Sequence, residues 1–208
     1  MTSGLSLLRR ARRLVWMAAV LASAAVVAPS RAADGERAGE SWGVEQLMIE
    51  LGRVQESRAR FVERKYLKVL QSPLELTGTL VYTAPGRLEK HTLTPKPETM
   101  TVEGDRLVIE KSGRTRTLRL EDYPVLWGFV ESIRSTLKGD LAALDRFYRV
   151  ALDGGPSRWT LSLMPKDAKM NAFINSILIG GGKGRISSVE VREAKGDRSV
   201  MLVTEDTP

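Results

Sequence analysis

The chain has 208 residues, of which 42% are hydrophobic and 27% charged, with no cysteine and a single histidine, His91. The fold therefore cannot rely on disulfides, and the clustered His and Cys ligands of ordinary zinc sites are missing. The net charge of +7 does not indicate nucleic-acid binding, which needs a clustered basic face, because five arginines fall in residues 1–32 and the remainder holds 27 basic against 25 acidic residues.

The first 32 residues have the features of a cleaved signal peptide. Arginines 9, 10, 12 and 13 precede an apolar run over 14–27, and Ser30-Arg31-Ala32 places small residues where signal peptidase reads them. The run is shorter than the ~20 residues of a membrane-spanning helix, and no cysteine follows it for lipid attachment. We expect export to the periplasm, a signal peptide over 1–32, a flexible leader over 33–40 and one domain over 41–205.

A helix followed by strands is predicted for the next part of the chain. Val44, Leu47, Met48 and Leu51 repeat at helical spacing. Strand-like runs, separated by turns rich in proline and glycine, then follow at 59–70, 74–82, 87–93, 99–102, 106–110 and 115–120.

The apolar period changes to that of a helix after Pro124. The stripe Leu126, Phe129, Val130, Ile133 and Leu137 predicts a helix that stops at Gly139, and Asp140 is a cap for a short third helix. Further strands are predicted at 147–152, 159–163, 173–179, 186–191 and 199–203. This order favours a strongly curved antiparallel sheet with helices over its concave face.

Few residues are suited to catalysis or metal binding. His91 lies within a predicted strand among charged neighbours, without the paired base that nucleophilic catalysis needs. The glycines at 180–182 lack the spacing of a phosphate-binding loop and do not lead into a helix. We therefore expect no catalytic residue, no metal site and no cofactor, and we predict that the protein is not an enzyme.

Several motifs occur in the order of a known family. A Phe61-Val62-Glu63-Arg64 strand is followed by Gly78-Thr79-Leu80-Val81-Tyr82, by Pro85-Gly86-Arg87-Leu88, and by the hairpin Val102-Glu103-Gly104-Asp105-Arg106-Leu107. This order resembles the LolA-like family of periplasmic lipoprotein carriers over residues 41–204. The pieces Leu137–Asp140 and Trp159–Leu163 resemble its divergent branch, which is found beside lipid or polyene export systems.

The resemblance implies a mostly β (α+β) fold, an incomplete antiparallel β-barrel of about ten to eleven strands with a lid of about three helices. It also implies an apolar cavity that shields acyl chains during transit, where burial stabilises by ~0.8 kcal/mol per CH₂. We expect apolar and aromatic side chains from both parts of the fold to line that cavity. They are Phe61, Leu76, Leu80, Leu107, Trp127, Phe129 and Trp159.

The implied function is a carrier that takes the acyl chains of a lipoprotein or another lipid from the inner towards the outer membrane. Its partners would be an inner-membrane exporter and an outer-membrane acceptor, and we expect a monomer that binds no nucleic acid. An alternative is a non-catalytic periplasmic accessory subunit of a lipid or polyene export system. A hydrolase of lipid-like substrates is disfavoured because His91 has no evident partner.

Overall fold

The computed structural model describes residues 42–206, so the predicted signal peptide and leader lie outside the described residues. Eleven antiparallel strands form one sheet in the order β6-β5-β4-β3-β2-β1-β11-β10-β9-β8-β7. They are β1 Glu56–Tyr66, β2 Leu74–Thr83, β3 Arg87–Thr94, β4 Glu98–Glu103, β5 Arg106–Lys111, β6 Arg114–Arg119, β7 Tyr148–Gly155, β8 Arg158–Pro165, β9 Ile174–Gly182, β10 Arg185–Glu193 and β11 Arg198–Glu205. Because β6 and β7 are both edge strands, the sheet is not closed, which confirms the incomplete barrel.

Three helices of seven or more residues accompany the sheet, as predicted, and a fourth is a single turn. They are α1 Val44–Leu51, α2 Pro124–Lys138, α3 Leu141–Phe147 and α4 Ala168–Asn171. Pro124 begins α2, and Gly139 ends it with a left-handed φ of +71°. The Asp140 carboxylate accepts a hydrogen bond from the Ala143 N–H at 2.9 Å, which caps α3.

The first strand is shorter than its sequence pattern indicates. It was expected to reach Leu70, but it ends at Tyr66 and leads into a loop over 67–73. Within this loop the Leu70 N–H donates to the Leu67 carbonyl at 2.8 Å. The Lys68 N–H donates to the Asp197 carboxylate at 2.9 Å. These two bonds replace ladder pairing, so the apolar residues that follow Tyr66 belong to a loop.

The helices cover one face of the sheet, where two separate apolar clusters form. The major cluster joins β7–β10 to α1, α3 and α4, with Trp159, Leu161 and Ile177 among its most buried residues. The minor cluster, around Leu107 and Leu118, lies on β4–β6. Helix α2 contacts both clusters, because some of its side chains pack on the major cluster and others on the minor one.

Candidate functional site

A strip of apolar side chains runs between the two clusters, on the three strands at the middle of the sheet. Directly paired residues of neighbouring strands project to the same face. Met201 pairs with Val189, which packs against the major cluster, and Val203 lies two residues further along the same strand and pairs with Phe61, so the strip lies on the helix-covered face. The strip consists of Ala59, Phe61, Leu76, Leu80, Tyr82, Met201 and Val203, and we call it the central seam. Among the described residues, neither cluster includes any of these seven.

The seam is only partly filled by neighbouring side chains. Phe61 and Tyr82 are buried, with 2% and 4% of their surface exposed, whereas Leu76, Leu80 and Met201 are half-buried. Phe61 lies opposite Gly78, where an added Cβ would come within 2.9 Å of the Phe61 ring, so the glycine makes room for that ring. The seam therefore offers an apolar floor whose leucine and methionine side chains keep some surface free.

A buried ion cluster lies at one end of the seam, with Leu76 and Met201 on either side of it. One Glu63 oxygen accepts a hydrogen bond from the Lys90 ammonium at 2.5 Å. The other accepts from the Ser199 hydroxyl at 2.7 Å and lies 3.2 Å from the Lys65 ammonium. Because two ammonium groups face one carboxylate, this end of the seam carries a local excess of positive charge.

The electrostatics of this cluster keep Glu63 ionised. Burial alone would raise the pKa of the Glu63 carboxyl, but the Lys90 and Lys65 charges and the hydrogen bonds from Lys90 and Ser199 lower it to about 2. Burial lowers the pKa of Lys90, an effect that the attraction of Glu63 only partly opposes. The Lys90 ammonium also lies 4.8 Å from the centre of the Phe61 ring, which joins the ion cluster to the apolar floor.

The seven residues predicted to line a cavity fall into three groups. Phe61, Leu76 and Leu80 lie together in the central seam. Leu107 and Trp127 belong to or pack against the minor cluster, while Trp159 and Phe129 belong to or pack against the major one. Their contact with a ligand stays a prediction.

The polar end of the seam is not among the residues predicted from the sequence. Glu63 lies two residues after Phe61 on β1, so the two side chains share a face and an inward-facing charge could have been predicted. Its partners Lys90 and Ser199 come from β3 and β11, and only the strand register brings them to it.

Helix α2 is held over the sheet by polar contacts as well as apolar ones. The Arg134 guanidinium, which is also paired with Glu131, donates to the Gly104 carbonyl at 2.6 Å in the β4–β5 hairpin. The Tyr148 hydroxyl donates to the Gly128 carbonyl at 2.9 Å. Toward its amino end, Leu126 and Trp127 make apolar contacts with the minor cluster. Polar ties therefore hold both halves of the helix, at Gly128 in the amino half and at Arg134 in the carboxyl half.

Two open clefts lie away from the seam. One of about 750 Å³ is lined largely by polar and charged residues, including Arg53, Arg58 and Glu205. Another of about 360 Å³ is bordered by Trp159 and the glycines of β9. No seam residue lines either cleft, so the helix-covered seam and these solvent-open clefts are different surfaces.

The single histidine lies away from the seam. His91 pairs with Thr79 and so projects to the face opposite the seam, with its ring nitrogens 3.0 Å from Glu89 and 3.3 Å from Thr99. Within 42–206, no three His, Cys, Asp or Glu side chains come together as a metal site. No helix in the same range has the length and apolar character needed to cross a membrane.

The sequence profile of one protein family, described as outer membrane lipoprotein carrier protein LolA-like, matches residues 36–206. No curated protein matches the sequence significantly. Similar solved structures include a LolA superfamily protein from Nitrosomonas europaea, with 11% identity and a TM-score of 0.44 over 81% of this chain and 96% of that one. The Mycobacterium tuberculosis lipoprotein LppX has 8% identity and a TM-score of 0.41, over 78% and 91% of the two chains. The Pseudomonas aeruginosa MucA/MucB complex has 13% identity and a TM-score of 0.42, over 77% of this chain and 55% of that one.

Proposed function

Because the chain belongs to the LolA-like family of outer membrane lipoprotein carrier proteins, we propose that it binds acyl chains in the central seam. The cargo is a lipoprotein or another lipid, which the protein carries across the periplasm from the inner towards the outer membrane. In this role the protein shields apolar chains from water and transforms nothing.

The observation that carries this proposal is the seam itself, an apolar strip that neither packed cluster takes up. Half-buried side chains such as Leu76, Leu80 and Met201 leave apolar surface that a hydrocarbon chain could cover. Moving ten methylene groups from water into such a site contributes about 8 kcal/mol, at ~0.8 kcal/mol per CH₂, before ordering costs are subtracted. This free energy is spread along the acyl chain, so binding does not depend on the detailed chemistry of the cargo's headgroup.

The ion cluster gives the seam a polar end. An acyl cargo has a polar end of its own, and Lys65 and Lys90 place two ammonium groups around the Glu63 carboxylate there. A cargo lying along the seam would therefore direct its headgroup toward this cluster and its chains toward Leu80 and Tyr82.

Loading of the seam requires α2 to move, because this helix contacts the clusters on both sides of it. Pro124 and Gly139 bound α2 as a discrete unit. Its amino half is held by apolar contacts and by the Tyr148 hydrogen bond to Gly128, and its carboxyl half by the Arg134 hydrogen bond to Gly104. We therefore propose that α2 moves as one unit and breaks both of these hydrogen bonds when cargo enters.

Titration with a fluorescent fatty-acyl probe tests this function. Leu80→Glu buries an unpaired charge in the seam, which costs several kcal/mol or admits water, and should abolish uptake. Leu80→Ala removes only part of the contact area and should weaken it. Val81→Glu, the next residue on the same strand but on the opposite face, is the matched control and should bind as wild type does.

Circular dichroism would confirm that all three variants fold. Equal uptake of the acyl probe by Leu80→Glu and Val81→Glu would contradict the placement of the acyl chain in the seam. An absence of uptake even by wild type would favour the accessory-subunit alternative. The periplasmic location is tested separately by sequencing the amino terminus of the exported protein, which should begin near Ala33.

A further inference from the structure

Three hairpin loops lie side by side at one end of the sheet. Strands β1 to β6 are consecutive antiparallel neighbours, so every second turn falls at the same end. The β1–β2, β3–β4 and β5–β6 turns therefore form one continuous edge, over residues 67–73, 95–97 and 112–113. We call this edge, with the strand residues that border it, the hairpin rim.

The hairpin rim exposes large apolar side chains. Val69 is 75% exposed and Leu70 46% in the first loop, Leu74 at the start of β2 is 38% exposed, and Leu93 near the end of β3 is 59% exposed. Other exposed apolar residues of the described chain are dispersed, such as Ile49 on α1 and the Val62–Leu202 pair on the convex face of the sheet, opposite the helices. Clustered exposed apolar surface of this kind marks an interaction site.

Basic residues are interleaved with these apolar side chains. Lys68 lies in the first loop, Lys96 in the second, and Lys111 and Arg114 flank the third. The stretches 67–73, 94–97 and 111–114 contain no acidic residue. Lys111 is paired with Glu98 on β4. Beyond that pair, Lys68, Lys96 and Arg114 give the rim an excess of positive charge.

The first loop has a built conformation that keeps its apolar residues exposed. Its backbone is tied at Lys68, whose N–H donates to the buried Asp197 carboxylate at 2.9 Å. A turn bond from the Leu70 N–H to the Leu67 carbonyl, 2.8 Å long, closes the loop around Val69. Neither anchor uses the side chain of Val69 or Leu70, and both of these side chains remain exposed.

The rim is continuous with the polar end of the seam. Leu74 pairs with Lys65 across β1 and β2, and the Lys65 ammonium lies 3.2 Å from Glu63. The rim and the ion cluster are therefore neighbours along β1 and β2.

We propose that the hairpin rim docks on an anionic bilayer surface. Val69 and Leu70 enter the boundary between headgroups and acyl chains, while Lys68 and Lys96 remain at the level of the acidic headgroups. We favour a bilayer over a protein partner because Val69 and Leu70 share one loop with Lys68 and the neighbouring loop carries Lys96, so that apolar and cationic groups are interleaved along one edge. The docking would hold for a carrier and for an accessory subunit alike.

Flotation of the purified protein with lipid vesicles tests the docking. Wild type should bind vesicles of phosphatidylglycerol mixed with phosphatidylcholine, and bind pure phosphatidylcholine at least about tenfold more weakly. The double variant Val69→Ser/Leu70→Ser should lose about tenfold or more in vesicle affinity. The double variant Lys68→Gln/Lys96→Gln should lose a similar factor on anionic vesicles only, and its residual binding should depend less on salt.

The matched control is Val62→Ser/Leu202→Ser, which removes an exposed apolar pair from the convex face and should bind as wild type does. Unchanged flotation of the rim variants overturns the proposal, and so does an equal loss in the control. Loss of function in cells by a rim variant that still floats would identify a protein partner and also overturn it. Leu80→Glu should still float, so failure of acyl binding and failure of docking give different results.

Discussion

Replacement of Glu63 by glutamine should strongly destabilise the fold, because it removes the charge that the two lysines surround. Glu63 is 5% exposed and accepts hydrogen bonds from Lys90 and Ser199. In Glu63→Gln the Lys90 ammonium would stay in the same half-buried place without a counter-charge. Breaking a buried pair by removing one partner costs about 3–5 kcal/mol in other proteins.

The size of the effect follows from the pKa of Glu63. Its fall from 4.5 to about 2 corresponds to about 3 kcal/mol of stability at neutral pH, at 1.36 kcal/mol per unit. Because the pKa is lower in the folded state, this stability is fully present above the unfolded value of 4.5 and is lost as the pH falls toward 2. The lowered pKa of Lys90 shows that its burial offsets part of the gain.

Urea denaturation across a pH series measures this directly. At neutral pH Glu63→Gln should lower the free energy of unfolding by about 3 kcal/mol, and its stability should fall less than that of wild type on acidification. Glu75→Gln is the control on the adjacent strand, where Glu75 pairs with Arg64 and both side chains are about half exposed. Such an exposed pair contributes at most about 1 kcal/mol. Equal losses in the two variants, or parallel acid profiles for wild type and Glu63→Gln, would refute the reasoning.

Three further substitutions have defined outcomes. His91→Gln should change the free energy of unfolding by less than about 0.5 kcal/mol and leave acyl-probe uptake intact; a folded variant without uptake would reopen the enzyme reading. Trp159→Ala should cost about 3–5 kcal/mol in urea denaturation, because the ring is 1% exposed within the major cluster; a small loss would contradict that packing. Gly78→Ala should lower the free energy of unfolding by about 1–3 kcal/mol, because the new Cβ would lie 1.9 Å from the His91 carbonyl oxygen. A variant that unfolds thermally at the same temperature as wild type would contradict this.

Local patterns in the sequence were enough to predict most of the secondary structure. Alternating apolar residues predict strands because side chains on successive residues of a strand face opposite sides, and β8 around Trp159 follows that rule. Helix α2 was predictable because Pro124 and Gly139 mark its two ends chemically. The α4 turn was missed because four residues are too few to show a helical period.

Features that depend on pairing between distant strands could not be predicted in the same way. The ion cluster joins Glu63, Lys90 and Ser199, which are far apart in the sequence. The division of the seven predicted lining residues among a seam and two clusters also follows from register and from where α2 packs. Leu107 and Trp159 have the same alternating pattern as Leu80, yet lie in different clusters.

Native mass spectrometry of the wild-type protein, purified from the periplasm without detergent, tests the central claim most directly. The account predicts a population heavier than the bare polypeptide by the mass of an acylated molecule, which fragmentation should release and identify. Leu80→Glu should lack that population, and Val81→Glu should keep it. A wild-type spectrum showing only the bare chain, with no adduct after incubation with lipid, would contradict the proposal that the seam holds acyl chains.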